Sequence, residues 1–274
     1  MLASLLVQTV LVTVPLILVA AGIIACDSVG VSNVGQNGLV AAGAAAGWIV
    51  GSLSGSPWLG VLAGAVAGAL VNMLFALFTI RLHVNHLIVG IVLNIAIPPI
   101  ADAVVGAALD TTSATCSSST ALVATMAVLA CVCIVTAPQL LTSRGRTSGT
   151  SGTSNAQLNR TRYLACALNG ALAGLAGALL TICVEGGYTD NVVGGRGLSA
   201  LFAAGVGSLR VGETFVMCIA LGFAEAIVTT FGLEGALASL VGSLPWIVAI
   251  VALVAEGCLK KGRFEQAKPA RANN

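Results

Sequence analysis

The sequence predicts an all-α protein, a polytopic integral membrane bundle of about eight or nine transmembrane helices with one short or broken segment among them. Three observations predict it. Hydrophobic residues make up 57% of the 274 and charged residues only 8%, against roughly 25% charged in ordinary globular domains. Mean hydropathy is +1.01, more than a soluble core of this length requires, so the excess must face lipid. Apolar runs of about 18 residues or more recur along the chain, the length a helix needs to cross a ~30 Å hydrocarbon core.

In chain order, spans are predicted at 3–25, 34–54, 57–80, 87–109, 119–138, 163–184, 213–231 and 243–259. The first ends in Ile24-Ala25-Cys26, which faintly resembles a lipoprotein cleavage site, but no Lys or Arg precedes it and it is taken as a membrane helix. The second and third carry Gly43, Gly47, Gly51 and Gly60, Gly64, Gly68, and the sixth carries Gly170 and Gly174. Small residues every four positions let membrane helices approach closely, so these faces predict tight packing. In the fourth span Asn94 precedes Pro98-Pro99, a pair that removes two backbone donors and is expected to kink or break the helix. Asn72 and Asn169 are expected to bridge helices. Between the sixth and seventh of these spans lies 197–209, which reaches only about 20 Å as a helix. A short element of this kind is tolerated at membrane depth where protein or a water-filled cavity covers its backbone.

Orientation follows the basic residues, which are retained in the cytoplasm when they lie in short loops. Arg144, Arg146, Arg160 and Arg162 fall in a linker at 139–162, and Lys260, Lys261, Arg263, Lys268 and Arg271 fall in the tail. Both belong inside. The chain therefore divides into a transmembrane domain at 1–259, with the linker 139–162 as its cytoplasmic loop, and a basic cytoplasmic tail at 260–274. Counting back puts Arg81 inside and the N-terminus outside; counting forward puts Glu185 and Asp190 outside. The tail returns inside only if 197–209 crosses in some form, which makes nine crossings.

Function classes narrow by what the sequence lacks. The net charge of +2 gathers in two short segments, which implies no nucleic-acid partner. The eight cysteines form no ligand motif and read as small packing residues. The two histidines, His83 and His86, lack a zinc-type partner set, and no metal or catalytic residue is expected. No GxxxxGK[ST] occurs, and the glycine-rich 186–197 stretch lacks the Lys of a phosphate loop. Any ATP used must be hydrolysed by a partner. The pointed residues are polar ones inside spans, where an ionisable side chain costs at least about 2.5–3.5 kcal/mol and usually faces a cavity. They are Asn94, Asp102 one turn beyond the proline pair, and Glu225 in mid-span.

Several patches now carry a resemblance. Thr13-Val-Pro-Leu, Ser32-Asn33-Val34-Gly35-Gln36-Asn37-Gly38 and Val84-Asn85-His86-Leu87-Ile88-Val89-Gly90-Ile91-Val92-Leu93-Asn94 resemble the first half of the permease subunits of bacterial ABC importers for nucleosides and simple sugars. Asn159-Arg160-Thr161-Arg162-Tyr163, Gly170-Ala-Leu-Ala-Gly174, Gly195-Arg196-Gly197-Leu198, Gly222-Phe223-Ala224-Glu225-Ala226 and Leu244-Pro245-Trp246 are similar to its second half, in the same order. The resemblance, to the branched-chain amino acid/ribose-type permeases, covers nearly the whole chain.

It implies a permease in the bacterial inner membrane that pairs with a second permease subunit, docks a cytoplasmic ATP-binding subunit and receives solute from an extracytoplasmic lipoprotein. Asn37, Asn94 and Glu225 are then expected to line the solute path, and Arg144, Arg146, Asn159, Arg160 and Arg162 to couple to the ATPase. Two departures stand out. The family's coupling stretch reads like Gly-Glu-Asn-Pro with an Ala-rich helix, where this chain has Arg146-Thr-Ser-Gly-Thr-Ser-Gly-Thr-Ser-Asn155, and the family's Glu in the second-span patch is Asn37 here. The rival readings are an ion-coupled secondary transporter, with Asp102 and Glu225 carrying protons or a cation, and a non-transporting scaffold subunit.

Overall fold

The computed structural model describes residues 2–108, 155–189, 192–207 and 209–232, and every element among them is helical. These are α1 (Leu2–Asp27), α2 (Gln36–Ser54), α3 (Pro57–Ala76), α4 (His86–Ala108), α5 (Asn155–Leu179), α6 (Arg196–Val206) and α7 (Val211–Thr230). α3 and α5 each finish in a wider π-helical turn, Leu77–Arg81 and Leu180–Glu185. Six of these stretches are long and apolar enough to cross a membrane, and Arg196–Val206 is the shorter apolar helix. The spans expected at 119–138 and 243–259, the tail 260–274, and most of the linker 139–162 lie outside the described residues.

Helix ends obey local chemistry. Gly55 closes α2 in the left-handed conformation, φ 65°, which glycine adopts without steric cost. Ser56 then leads into Pro57 at the first position of α3, where the missing N–H would have had no intrahelical partner. α1 is the most enclosed span, with 83% of its apolar window buried, whereas α4 and α7 are buried over 28%. The apolar side chains that α3, α4 and α7 leave outward, Leu62, Leu70, Ile95 and Val216 among them, are suited to lipid.

The centre is a glycine-lined junction of α2, α3 and α5. Gly64 lies against Gly174, Gly68 against Gly170, and Asn72 against Gly170 and the Cys166 carbonyl. Four residues along α3 thus match four residues backward along α5, so the two run antiparallel. Against α2 the pairs are Gly43 with Gly174 and Gly47 with Ala178, a parallel step. A Cβ on Gly43, Gly68 or Gly174 would run into the facing backbone. The glycine faces expected from sequence are therefore contact faces.

Two expectations change. Of the kink or break expected at Pro98-Pro99, the break does not occur, for α4 is helical from His86 to Ala108. Only the Asn94 and Ile95 carbonyls lose intrahelical donors. The stretch is held from outside, since Gly38 of α2 packs against the Leu93 carbonyl and the Ile97 side chain. At α5, helix begins at Asn155 rather than 163, so residues 155–162 of the predicted linker are helical. They carry too many polar side chains for a hydropathy window to include.

Candidate functional site

Polar side chains cluster at two places in the bundle. The first surrounds the α1–α2 turn. α2 has no side-chain cap of its own at Gly35, and its free N–H groups need acceptors. Asn94 supplies one from α4: its Oδ1 accepts from the Gly38 N–H at 3.1 Å while its Nδ2 donates to the Val34 carbonyl at 2.8 Å. Asn33 Oδ1 accepts from the Gly35 N–H at 2.7 Å, and its Nδ2 donates to Asn72 Oδ1 at 2.7 Å. Asn72 Nδ2 donates onward to the Cys166 carbonyl at 2.6 Å. Three amides thereby fasten the turn to α3, α4 and α5. The close approach of Gly35 to Gly90 is what lets Asn94 reach α2.

Asn37 and Asn94 are both half-buried, but differ in what they offer. Both amide ends of Asn94 are engaged, whereas Asn37 Oδ1 is buried with no partner among the described residues. The Asn37 backbone lies against Gly197 at the start of α6, where a Cβ would come within 2.6 Å of the Asn37 nitrogen. Asn169 is fully buried against Gly22 of α1, and neither of its amide atoms has a partner among the described residues. Of the two expected bridging amides, only Asn72 bridges by hydrogen bonds.

The second cluster is ionic. Arg196, the first residue of α6, donates from Nε to Glu225 Oε1 at 2.8 Å, with Nη2 at 2.6 Å from the same oxygen. Nη2 also meets Glu185 Oε1 at 2.9 Å, and Nη1 donates to the Val192 carbonyl at 3.0 Å. The guanidinium is 16% exposed, Glu225 32% and Glu185 36%. One cation thus joins the end of the α5 stretch, the start of α6 and the middle of α7. Beside it, Tyr188 donates to Asp102 Oδ1 at 2.7 Å, tying the α5–α6 connection to α4.

Glu225 was legible from sequence as an acid in mid-span, but its partner was not. The available signal was that Arg196 opens an apolar segment with no acid adjacent and so needs a distant counter-ion. Among the coupling candidates, Asn159 and Arg160 are exposed on the first turns of α5. Arg162 turns inward, and its Nε donates to the Val29 carbonyl at 3.4 Å. Arg144 and Arg146 lie outside the described residues. Among the described residues no group of His, Cys, Asp and Glu could hold a metal ion. Cys26 and Cys166 are buried with their sulfurs 3.6 Å apart, within an apolar cluster that includes Phe75 and Ala165. These arrangements present amide and carboxylate groups suited to hydrogen bonding, and among the described residues no nucleophile–base pair is assembled.

Known proteins share sequence with the chain. The chain is 36% identical over 90 residues to the nucleoside ABC transporter permease protein NupC of Lactococcus lactis, a match covering 31% of this chain and 28% of that protein. It is 32% identical over 93 residues, 34% of this chain and 28% of the relative, to a Haloferax volcanii protein described as a glucose ABC transporter permease. The matched stretch thus spans little more than a quarter of either relative's length. No solved structure matches the chain. The model of the branched-chain amino acid transport system permease component matches residues 5–254, nearly the whole sequence, and the chain belongs to that permease family.

Proposed function

We propose that this chain is the membrane-spanning permease subunit of an ATP-driven ABC importer that moves a small polar solute: a nucleoside, a simple sugar or a ribityl compound such as a flavin. The observation that carries the reading is the family match over residues 5–254, in a chain with no phosphate-binding motif of its own. The names of the nucleoside and glucose permeases to which it is similar support the solute class. A neutral polyhydroxylated solute needs amide and carboxylate partners more than fixed charge.

In this reading Asn37, Asn94 and Glu225 line the path. Asn94 fixes the α2–α4 wall, and Glu225 offers the solute a carboxylate. A second permease subunit, identical or homologous, completes the channel. A cytoplasmic ATP-binding subunit engages the linker 139–162 and the exposed Asn159 and Arg160 beside it, with Arg144, Arg146 and Arg162 contributing charge. A solute-binding lipoprotein delivers from outside. The chain sits in the bacterial inner membrane with its N-terminus outside and its C-terminus in the cytoplasm, and ATPase motion drives an alternating-access rearrangement.

The test is solute uptake into cells carrying the chain with its co-purifying partners, with ATP present and then depleted while the ion gradient is held. Loss on ATP depletion alone is expected. Uptake that survives ATP depletion but collapses with the gradient overturns the reading and turns attention to Asp102 and Glu225 as ion carriers. In the same assay Glu225→Gln is expected to change uptake without preventing membrane insertion.

A further inference from the structure

We infer that Arg196 is the positioning residue of the solute path: it holds Glu225 by one carboxylate oxygen and leaves the other to accept hydrogen bonds from a hydroxyl-bearing, uncharged solute. The inference rests on the importer reading above and names how that path recognises its cargo.

The geometry is one-sided. Both Arg196 nitrogens that reach Glu225, Nε and Nη2, converge on Oε1, and among the described residues no donor meets Oε2. A guanidinium more often grips a carboxylate through both oxygens, in the parallel two-bond fork. Here Nη2 is shared with Glu185 and Nη1 is taken by the Val192 carbonyl, so the plane of the guanidinium is fixed from three sides. Glu225 itself remains 32% exposed, so the unused oxygen is not sealed in the core. An ionised carboxylate accepts hydrogen bonds at both oxygens, and a hydroxyl approaching Oε2 finds an acceptor already oriented.

The charge of the cluster selects the cargo. One guanidinium and two carboxylates leave a net charge of −1 in a partly desolvated place, where like charges repel more strongly than in water. A phosphorylated analogue, bearing its own negative charge, is disfavoured there. A nucleoside or sugar is not. Lys at position 196 would supply a point charge without the planar fork, holding Glu225 in place less firmly.

The experiment is uptake of radiolabelled uridine, with glucose as the second solute, by cells carrying the full importer, measured over a concentration series. Variants are Arg196→Gln, Arg196→Lys, Glu225→Gln and the Arg196→Gln/Glu225→Gln pair, each normalised to protein in the membrane. Glu225→Gln and Arg196→Gln are each expected to raise the half-saturating concentration about tenfold with a smaller change in maximal rate. The double variant is expected to be no worse than either single, because Arg196 acts through Glu225, and Arg196→Lys is expected to recover part of the loss. A purely structural Arg196 would lower the amount of protein or the maximal rate and leave half-saturation unmoved, which overturns the inference, as does full additivity in the double variant. Failure of the importer reading looks different: no ATP-dependent uptake of uridine, glucose or riboflavin by the unmutated chain, whereas normal half-saturation in Glu225→Gln overturns the inference itself.

Discussion

Asn72 has no exposed surface, yet both ends of its amide are used, one by Asn33 and the other by the Cys166 carbonyl. Replacing it with Leu keeps much of the volume and removes both bonds, leaving the Asn33 Nδ2 group and the Cys166 carbonyl without their amide partner. A buried polar group so stranded costs about 1–3 kcal/mol, although hydrogen bonds between membrane helices have tended toward the lower end of such values. Asn72→Leu is therefore expected to lower the unfolding temperature of the detergent-purified protein by several degrees, and an unchanged midpoint would show that the bonds contribute nothing net. Asn94 makes the same point in a different place. Its presence inside an apolar span is plain from sequence, and its Oδ1 and Nδ2 partners, Gly38 and Val34, are not. Those contacts join residues 56 and 60 positions apart, and nothing in the local pattern of either segment records the pairing.

At the scale of the element, α5 is the helix against which α1, α2 and α3 pack. Gly174 sits where α2 and α3 both press upon it, and Gly177 lies directly against the Val40 carbonyl of α2. A methyl group at 174 runs into the α3 backbone at both Gly64 and Gly68, and overpacking of this kind costs about 1–3 kcal/mol or more. Gly174→Ala is expected to reduce sharply the yield of monodisperse protein in size-exclusion chromatography. Gly205→Ala, on the exposed side of α6 where a Cβ meets nothing within 4 Å among the described residues, is expected to leave the yield as it was, since alanine favours helix over glycine by about 1 kcal/mol. Equal behaviour of the two variants would refute the glycine junction. The four-residue spacing of these glycines was readable because close packing in a membrane demands small residues at helical repeat. The first turns of α5 were not, because Asn155–Arg162 is polar and a helix outside the apolar layer carries no hydropathy signal. Nor was the continuity of α4 past Pro98 and Pro99, since a proline pair signals lost backbone donors whether or not the helix goes on.

For the whole molecule, orientation is a question of charge summed over loops. The α2–α3 turn at 54–56 carries no charge, whereas the turn between α3 and α4 carries Arg81, and the basic linker and tail fall on the same side as Arg81 when the crossings are counted. The electrical preference that keeps short basic loops in the cytoplasm then predicts Ser54 outside and Val84 inside. Both residues are exposed, so a cysteine at either can be reached by a reagent on its own side. Ser54→Cys is expected to react with a membrane-impermeant maleimide in intact cells, and Val84→Cys only after the cells are permeabilised. Cys26, Cys166 and Cys218 are buried and Cys183 is half-buried, so labelling is read against the unmutated protein, whose eight native cysteines set the background. The reverse pattern would place the N-terminus in the cytoplasm. It would also carry the exposed Asn159 and Arg160 to the outer face, where no ATP-binding subunit could engage them, so this labelling tests the coupling assignment together with the topology. Labelling of both sites in intact cells would mean that one of the two turns does not lie at a membrane boundary, and the count of crossings on which the orientation rests would fall with it.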